Sequence, residues 1–239
     1  MTALILGGGE PWSFVDSGFL RYYNRSGYVN VSVMSFGRSS ADKMLATKFM
    51  MLIPFHVEKV AQAAAVLLKT EENRRMSRLR LLKLLYIADR ERLEESGRPI
   101  TGDRVSAMDH GPVLSQTYNL IKGEDLLTPQ WERYIRRVNH RYVMLDDDPG
   151  VGKLTRKEIA KLNEVATRYE DWDDYQVAVY THSFAEWEKN KPAAGSSNRI
   201  PLEDLIEATG LSHIKDQLIA NAANERLVHQ LIDDATLPA

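Results

Sequence analysis

Met76-Ser77-Arg78-Leu79-Arg80-Leu81-Leu82-Lys83-Leu84-Leu85-Tyr86-Ile87-Ala88-Asp89-Arg90 decides how this chain folds. Ser77 suits a helix N-cap, because its hydroxyl can accept from an unpaired backbone N–H of the first turn. From Leu79 to Ala88 only Arg80, Lys83 and Tyr86 interrupt the apolar residues. Leu81, Leu84, Leu85 and Ala88 recur at the helical period, and Leu82 and Ile87 widen the stripe. A helix apolar over so much of its girth is buried on several sides, so a small helical domain must pack around it. The charged run Asp89-Arg90-Glu91-Arg92-Leu93-Glu94-Glu95 returns it to water, and Gly97 with Pro99 ends it.

Two turn clusters follow: Gly97-Arg98-Pro99-Ile100-Thr101-Gly102-Asp103-Arg104 and His110-Gly111-Pro112-Val113. Pro112 fits the first turn of a new helix, where a missing N–H costs nothing. Three pieces, Lys83-Leu84-Leu85-Tyr86-Ile87-Ala88-Asp89, Pro99-Ile100-Thr101-Gly102-Asp103 and His110-Gly111-Pro112-Val113, together resemble the SocA-like antitoxin domain, also called Panacea. Tyr180-Thr181-His182 and Trp187 resemble the later landmarks of that family, and the likeness runs from Phe55 to Leu211. It implies a bacterial or phage antitoxin that neutralises a protein toxin, either by masking it or by delivering it to a cellular protease. It implies no enzymatic activity and no cofactor.

Composition sets the outer limits. The chain has 239 residues, 44% hydrophobic and 27% charged, as in an ordinary globular protein with a sizeable core. A formal net charge of −2 exerts no general pull on nucleic acid or anionic membrane. With no cysteine there are no disulfides, no cysteine–zinc sites and no cysteine nucleophile, which suits a reducing cytoplasm. No apolar run is long enough to span a bilayer, and the N-terminus lacks the basic start of a secretion signal.

Residues 1–43 read differently from the rest. Gly7-Gly8-Gly9 lacks the Lys and Ser/Thr of a phosphate loop. Tyr28 to Val33 alternates like a strand without an evident partner. Residues 1–50 are therefore expected to be a poorly ordered extension, with upstream sequence read as coding one account of its first 43 residues. The domain proper is placed at 51–211 and a helical tail at 212–239. Within the domain, Val57, Val60, Ala61, Ala64, Leu67 and Leu68 form one helical stripe, and Glu71 to Arg75 is a polar connection. Asp103 to Met108 is extended or irregular, and Val113 to Ile121 is helical. Trp131–Val138 and Arg141–Leu145 read as a β-hairpin around Asn139-His140. Thr155 with Glu158 is a capping box, and Asp173 or Asp174 caps a helix whose Val177, Val179, Tyr180, Phe184 and Trp187 face inward. Pro201 starts a short helix.

The polar residues admit sharper and plainer readings. Asp89 could be a general base shifted by burial, but a buried carboxylate that holds the helix against its neighbours gives the same pattern. His110 and His182 lack HxxxH, HxH or HExxH spacing, so no metal site is expected. His110 before Gly-Pro is read as fixing a turn, and His182 as a core histidine. Arg74, Arg75, Arg78, Arg80 and Lys83 form the one dense basic patch. Near-neutral charge and the absence of interleaved aromatics argue against nucleic acid as its partner. A Glu207-to-Ser212 turn like that of a helix-turn-helix keeps a DNA-binding autoregulator as the alternative, with an Asp89–His110 hydrolase behind it.

The expected fold is α+β and predominantly helical, with a buried central helix and a small antiparallel hairpin. Arg78, Lys83, Tyr86 and Asp89 are the expected partner-binding residues. Tyr86 has a second reading as core, its hydroxyl paired to Asp89 or another buried polar group. Gly102, Asp103, His110, Gly111, Pro112 and His182 are expected to be structural. A cognate toxin is the expected partner, with no membrane and no metal.

Overall fold

The computed structural model describes residues 55–218 in full and, ahead of them, the backbone of three strands. These strands, β1 (Ser13–Val15), β2 (Phe19–Asn24) and β3 (Gly27–Ser32), form an antiparallel meander in a unit over Met1–Leu52. The strand expected at Tyr28–Val33 is thus paired over Tyr28–Ser32, and β2 is the partner that was not evident, with Tyr23 opposite Tyr28. The rest of the expected 1–50 extension lies outside the described residues, as does the tail from 219 onward.

The second unit is built on α1 (Val57–Leu68) and α2 (Arg78–Ser96). In α1 the alanines let neighbours approach closely, and Val60, Ala61, Ala64, Leu67 and Leu68 have no exposed surface. In α2 the Ser77 hydroxyl accepts from the Arg80 N–H at 3.1 Å. Gly97, at φ 72°, ends the helix and donates its N–H to the Leu93 carbonyl at 2.7 Å. Every residue from Arg80 to Asp89 is buried, so this helix is enclosed on all sides. It packs against α1, α5 (Arg156–Arg168), α6 (Asp174–Tyr180) and β6 (Gly111–Leu114).

Arg80, one of the five residues read as a single basic patch, lies inside. Its guanidinium donates to the carbonyls of Trp172 at 2.5 Å and Tyr169 at 2.7 Å, and to Glu71 at 3.0 Å. The unpaired carbonyls where α5 ends supply acceptors that make this burial tolerable.

Two small antiparallel sheets flank the helices. One has the order β4 (Arg75–Ser77), β8 (Tyr142–Leu145), β7 (Ile135–Arg137), so the expected hairpin is present but shorter. Trp131 belongs instead to the short helix α4 (Thr128–Trp131). The Val138 N–H donates to the Tyr142 carbonyl at 2.9 Å, which leaves a three-residue loop. There the Asn139 side chain accepts from the N–H groups of Arg141 and Tyr142, work that a turn glycine would otherwise make unnecessary. β4 falls in what reads as a polar connection; three residues are too few to show a period. The other sheet has the order β6, β5 (Val105–Met108), β9 (Asn198–Arg199). Pro112 lies in β6, not in the first turn of a helix, and α3 (Ser115–Lys122) starts after it. Among the described residues β6 pairs only with β5, and an edge strand tolerates proline.

The expected capping box of Thr155 with Glu158 forms on α5, and of the two candidate caps Asp173 is the one used, in a further capping box with Gln176 on α6. The helix expected to run on to Trp187 is broken. Thr181–Ser183 is a 3-10 turn, Phe184 is extended, and α7 (Ala185–Lys189) restarts the helix. Val177, Phe184 and Trp187 face inward as expected, whereas Val179 and Tyr180 turn outward, at 43% and 36% exposure. α8 (Leu202–Ala208) follows Pro201. The domain is α+β and predominantly helical.

Leu85 is 1% exposed in the middle of α2. Leu85→Asp would put an unpaired carboxylate among apolar side chains and should cost about 3 kcal/mol or more. A thermal melt should show loss of the cooperative transition, while Leu126→Asp, at an exposed position, should melt like the parent.

Candidate functional site

The polar residues of α2 mark a line of buried anchor points, each met by a segment distant in sequence. Asp89 is 5% exposed. One carboxylate oxygen accepts from the N–H groups of Ile100 at 3.0 Å and Thr101 at 2.9 Å, and the other takes the Thr101 hydroxyl. Neither an Arg nor a Tyr is the partner; the backbone of the Ile100-Thr101-Gly102-Asp103 turn is. Gly102, at φ 65°, lets that turn reverse. Asp103 then reaches forward and accepts from the N–H groups of Gln116 and Thr117 at 2.9 and 2.7 Å, and from the Thr117 hydroxyl. The two aspartates hold the same turn from opposite sides, Asp89 to α2 and Asp103 to α3.

Nearly two turns earlier on α2, Lys83 has no exposed surface and donates to the Pro112 carbonyl at 2.7 Å. Gly111 sits beside it at φ 92°, and a Cβ there would collide with the Thr181 hydroxyl and crowd Lys83 Nζ and His182. Close approach of β6 to the Thr181–Ser183 turn therefore requires glycine on two counts. The His182 ring stacks on Trp187 at 4.1 Å between centroids, and the Trp187 indole donates to the Met108 carbonyl at 3.0 Å. His182 Nε2 is buried with no hydrogen-bond partner among the described residues. His110 stands exposed in the turn between β5 and β6.

Tyr86 and Arg90 make the third anchor. The Tyr86 hydroxyl donates to Glu186 at 2.5 Å, and Arg90 Nε donates to the same oxygen at 2.8 Å. Glu186 is 1% exposed. Arg90 also donates to the Ala208 carbonyl at 3.1 Å and lies 4.6 Å over the Phe184 ring, tying α7 and the end of α8 to α2. Glu186 lies in a charged helix segment whose sequence gives no sign that it points inward.

Of the four residues expected at a partner face, Arg78 alone is partly exposed. Lys83, Tyr86 and Asp89 are inside, because each has a fixed internal acceptor or donor. The basic patch is likewise divided. Arg74 and Arg75 are exposed and Arg78 partly so, but Arg80 and Lys83 are buried. Among the described residues no group of three His, Asp or Glu side chains is placed to share a metal ion, and no helix is long and apolar enough to cross a membrane.

Burial shapes the charges. It raises the Asp89 carboxyl to about 7, against the opposing pull of the Thr101 hydrogen bonds. It also raises Asp103 and pushes the Tyr86 hydroxyl upward, with Glu186 adding to the latter. It lowers the Lys83 ammonium to about 7. His182 is lowered by burial and by the cations Lys83 and Lys191 nearby.

Linkage gives each shift a sign. Unfolded Asp89 loses its proton near 3.8 and folded Asp89 holds it to about 7. The wild type should therefore lose stability relative to Asp89→Asn as pH rises between those values. Unfolded Lys83 keeps its proton to 10.5 and the folded chain only to about 7, so the wild type should gain on Lys83→Met as pH rises through that window. Urea midpoints across pH measure both slopes. Gly111→Ala should destabilise by more than about 1 kcal/mol, from positive φ and the collision with Thr181 together.

Comparison with known proteins bears directly on these anchors. No curated protein and no solved structure matched the chain. Residues 81–188 match the family model described as "Antitoxin SocA-like, Panacea domain", and this span holds Lys83, Asp89, Asp103, Gly111, His182 and Glu186.

Proposed function

We propose that this chain is an antitoxin that works by binding, as the non-enzymatic partner of a cognate protein toxin in a bacterial or phage toxin–antitoxin pair. One observation carries the reading. Within the family match Lys83, Tyr86, Asp89 and Asp103 are spent inside the domain, on a backbone carbonyl, backbone N–H groups and the Glu186 carboxylate. Asp89, the residue a hydrolase would need as base, has both oxygens engaged by Ile100 and Thr101. His110 stands in an exposed turn instead of beside it. Groups so committed hold a shape, and a shape acts on a partner through its surface.

The fate of the bound toxin is masking or delivery to a protease, and the cytoplasm is where both would occur. Co-expression with the product of the neighbouring gene tests the reading. Growth should be restored and the two proteins should copurify, and the toxin's half-life with this protein present separates the two fates. No rescue and no complex with that product would overturn the antitoxin reading.

A further inference from the structure

Six large hydrophobic side chains are exposed among the described residues, and four of them, Trp172, Tyr175, Val179 and Tyr180, lie within nine positions of one another. Tyr175 is 69% exposed. Tyr175 and Val179 stand four apart on α6 and so share a face. Trp172 and Tyr180 meet edge to face at 5.8 Å, and Trp172 packs the same way on the buried Tyr169. The strip is therefore anchored to the core by ring contacts before any partner arrives.

The strip continues into a groove of about 770 Å³, lined on one side by Trp172 and Tyr175 and on the other by β4 and the start of α2. Arg75 lies in its wall, 4.1 Å over the Tyr142 ring, and Arg78 lies beside it. Among the described residues neither guanidinium has a carboxylate partner. The acids that line the groove are mostly engaged. Glu71 pairs with Arg80, Asp174 with Arg141 at 3.5 Å, and Asp173 caps its own helix. The uncommitted charge beside the aromatic strip is thus mainly positive and comes from two arginines. Exposed aromatics with arginine at a concave site make up the composition in which binding energy concentrates.

We infer that the Trp172–Tyr180 strip and the Arg75–Arg78 wall form the toxin-binding surface, and that it takes a protein segment presenting an apolar side chain flanked by carboxylates. This rests on the antitoxin reading above. A partner carboxylate would meet Arg78 while its apolar neighbour covers Tyr175. A nucleic-acid strand fits less well, because its phosphates recur along the whole backbone and need a longer run of cations than Arg75 and Arg78 supply.

The test titrates the full chain with the purified product of the neighbouring gene. Tyr175→Ala should weaken binding at least about tenfold, as loss of a central aromatic anchor does. Arg78→Glu should weaken it by a similar factor and reduce the loss of affinity expected of the wild type at high salt. Neither should lower the melting temperature, since Tyr175 is exposed and an acidic residue suits the first turn of α2. Leu126→Ala, exposed elsewhere, should bind as the parent does. If the wild type binds and both surface variants bind equally well, this surface is wrong and the antitoxin reading stands. If the wild type forms no complex and gives no rescue, that reading falls and this surface assignment falls with it. Labelled oligo(dT) captured by the wild type and lost in Arg78→Glu would overturn a protein occupant, as would self-association abolished by Tyr175→Ala.

Discussion

Lys83 carries an amine with no exposed surface, set on a helix whose residues are buried without a break from Arg80 to Asp89. A donor enclosed this way must be met by an acceptor whether or not it is charged, since an unpaired one costs several kcal/mol. The Pro112 carbonyl meets it, and that requirement fixes where β6 runs. The same condition applies along the helix. Arg80 claims the carbonyls where α5 ends, Tyr86 and Arg90 claim Glu186, and Asp89 claims the Thr101 turn. Leucines at the other positions supply apolar contact without direction. The polar residues set which neighbour stands at which height on α2, and removing one of a pair leaves the other buried and unpaired.

What could be read in the sequence was local. Ser77 as cap, Gly97 as stop, the Thr155–Glu158 capping box, a cap at Asp173 or Asp174 and the apolar girth of α2 all follow from residues a few positions apart, and the structure contains them, with Asp173 as the cap. What could not be read was distant or depended on neighbours. Glu186 lies 100 residues from Tyr86, so nothing local marks it as the hydroxyl's partner. Asp89 resembles one half of an ion pair because its true donors, backbone N–H groups, leave no trace in composition. Pro112 carries the signature of a helix start. Its strand becomes visible only once Val105 to Met108 is laid beside it, and its tolerance there depends on β6 being an edge.

The basic patch shows the same limit from another side. Arg74, Arg75, Arg78, Arg80 and Lys83 cluster in sequence and suggest one charged surface. Helical phase and long-range acceptors divide them: α2 turns Arg80 and Lys83 inward, and β4, pairing with β8, carries Arg75 over the Tyr142 ring. Counting charges along the chain overstated the surface and missed the aromatic beside it.

The outward strip on α6 is itself a consequence of the buried anchors. Had one unbroken helix run from Asp174 to Lys189, Val177, Tyr180, Phe184 and Trp187 would have shared a face at the helical period. Tyr180 would then have been inside with the other three. Three demands prevent this. The Thr181 hydroxyl must lie against Gly111, the Trp187 indole must reach the Met108 carbonyl, and Glu186 must reach Tyr86 and Arg90. The chain meets them by tightening to a 3-10 turn at Thr181–Ser183 and extending at Phe184, which resets the helical phase of α7 against α6. Phe184 and Trp187 keep their inward places, and Tyr180 is turned toward water beside Val179. The polar contacts that hold Lys83 and Tyr86 inside the domain thus also expose the aromatic face outside it.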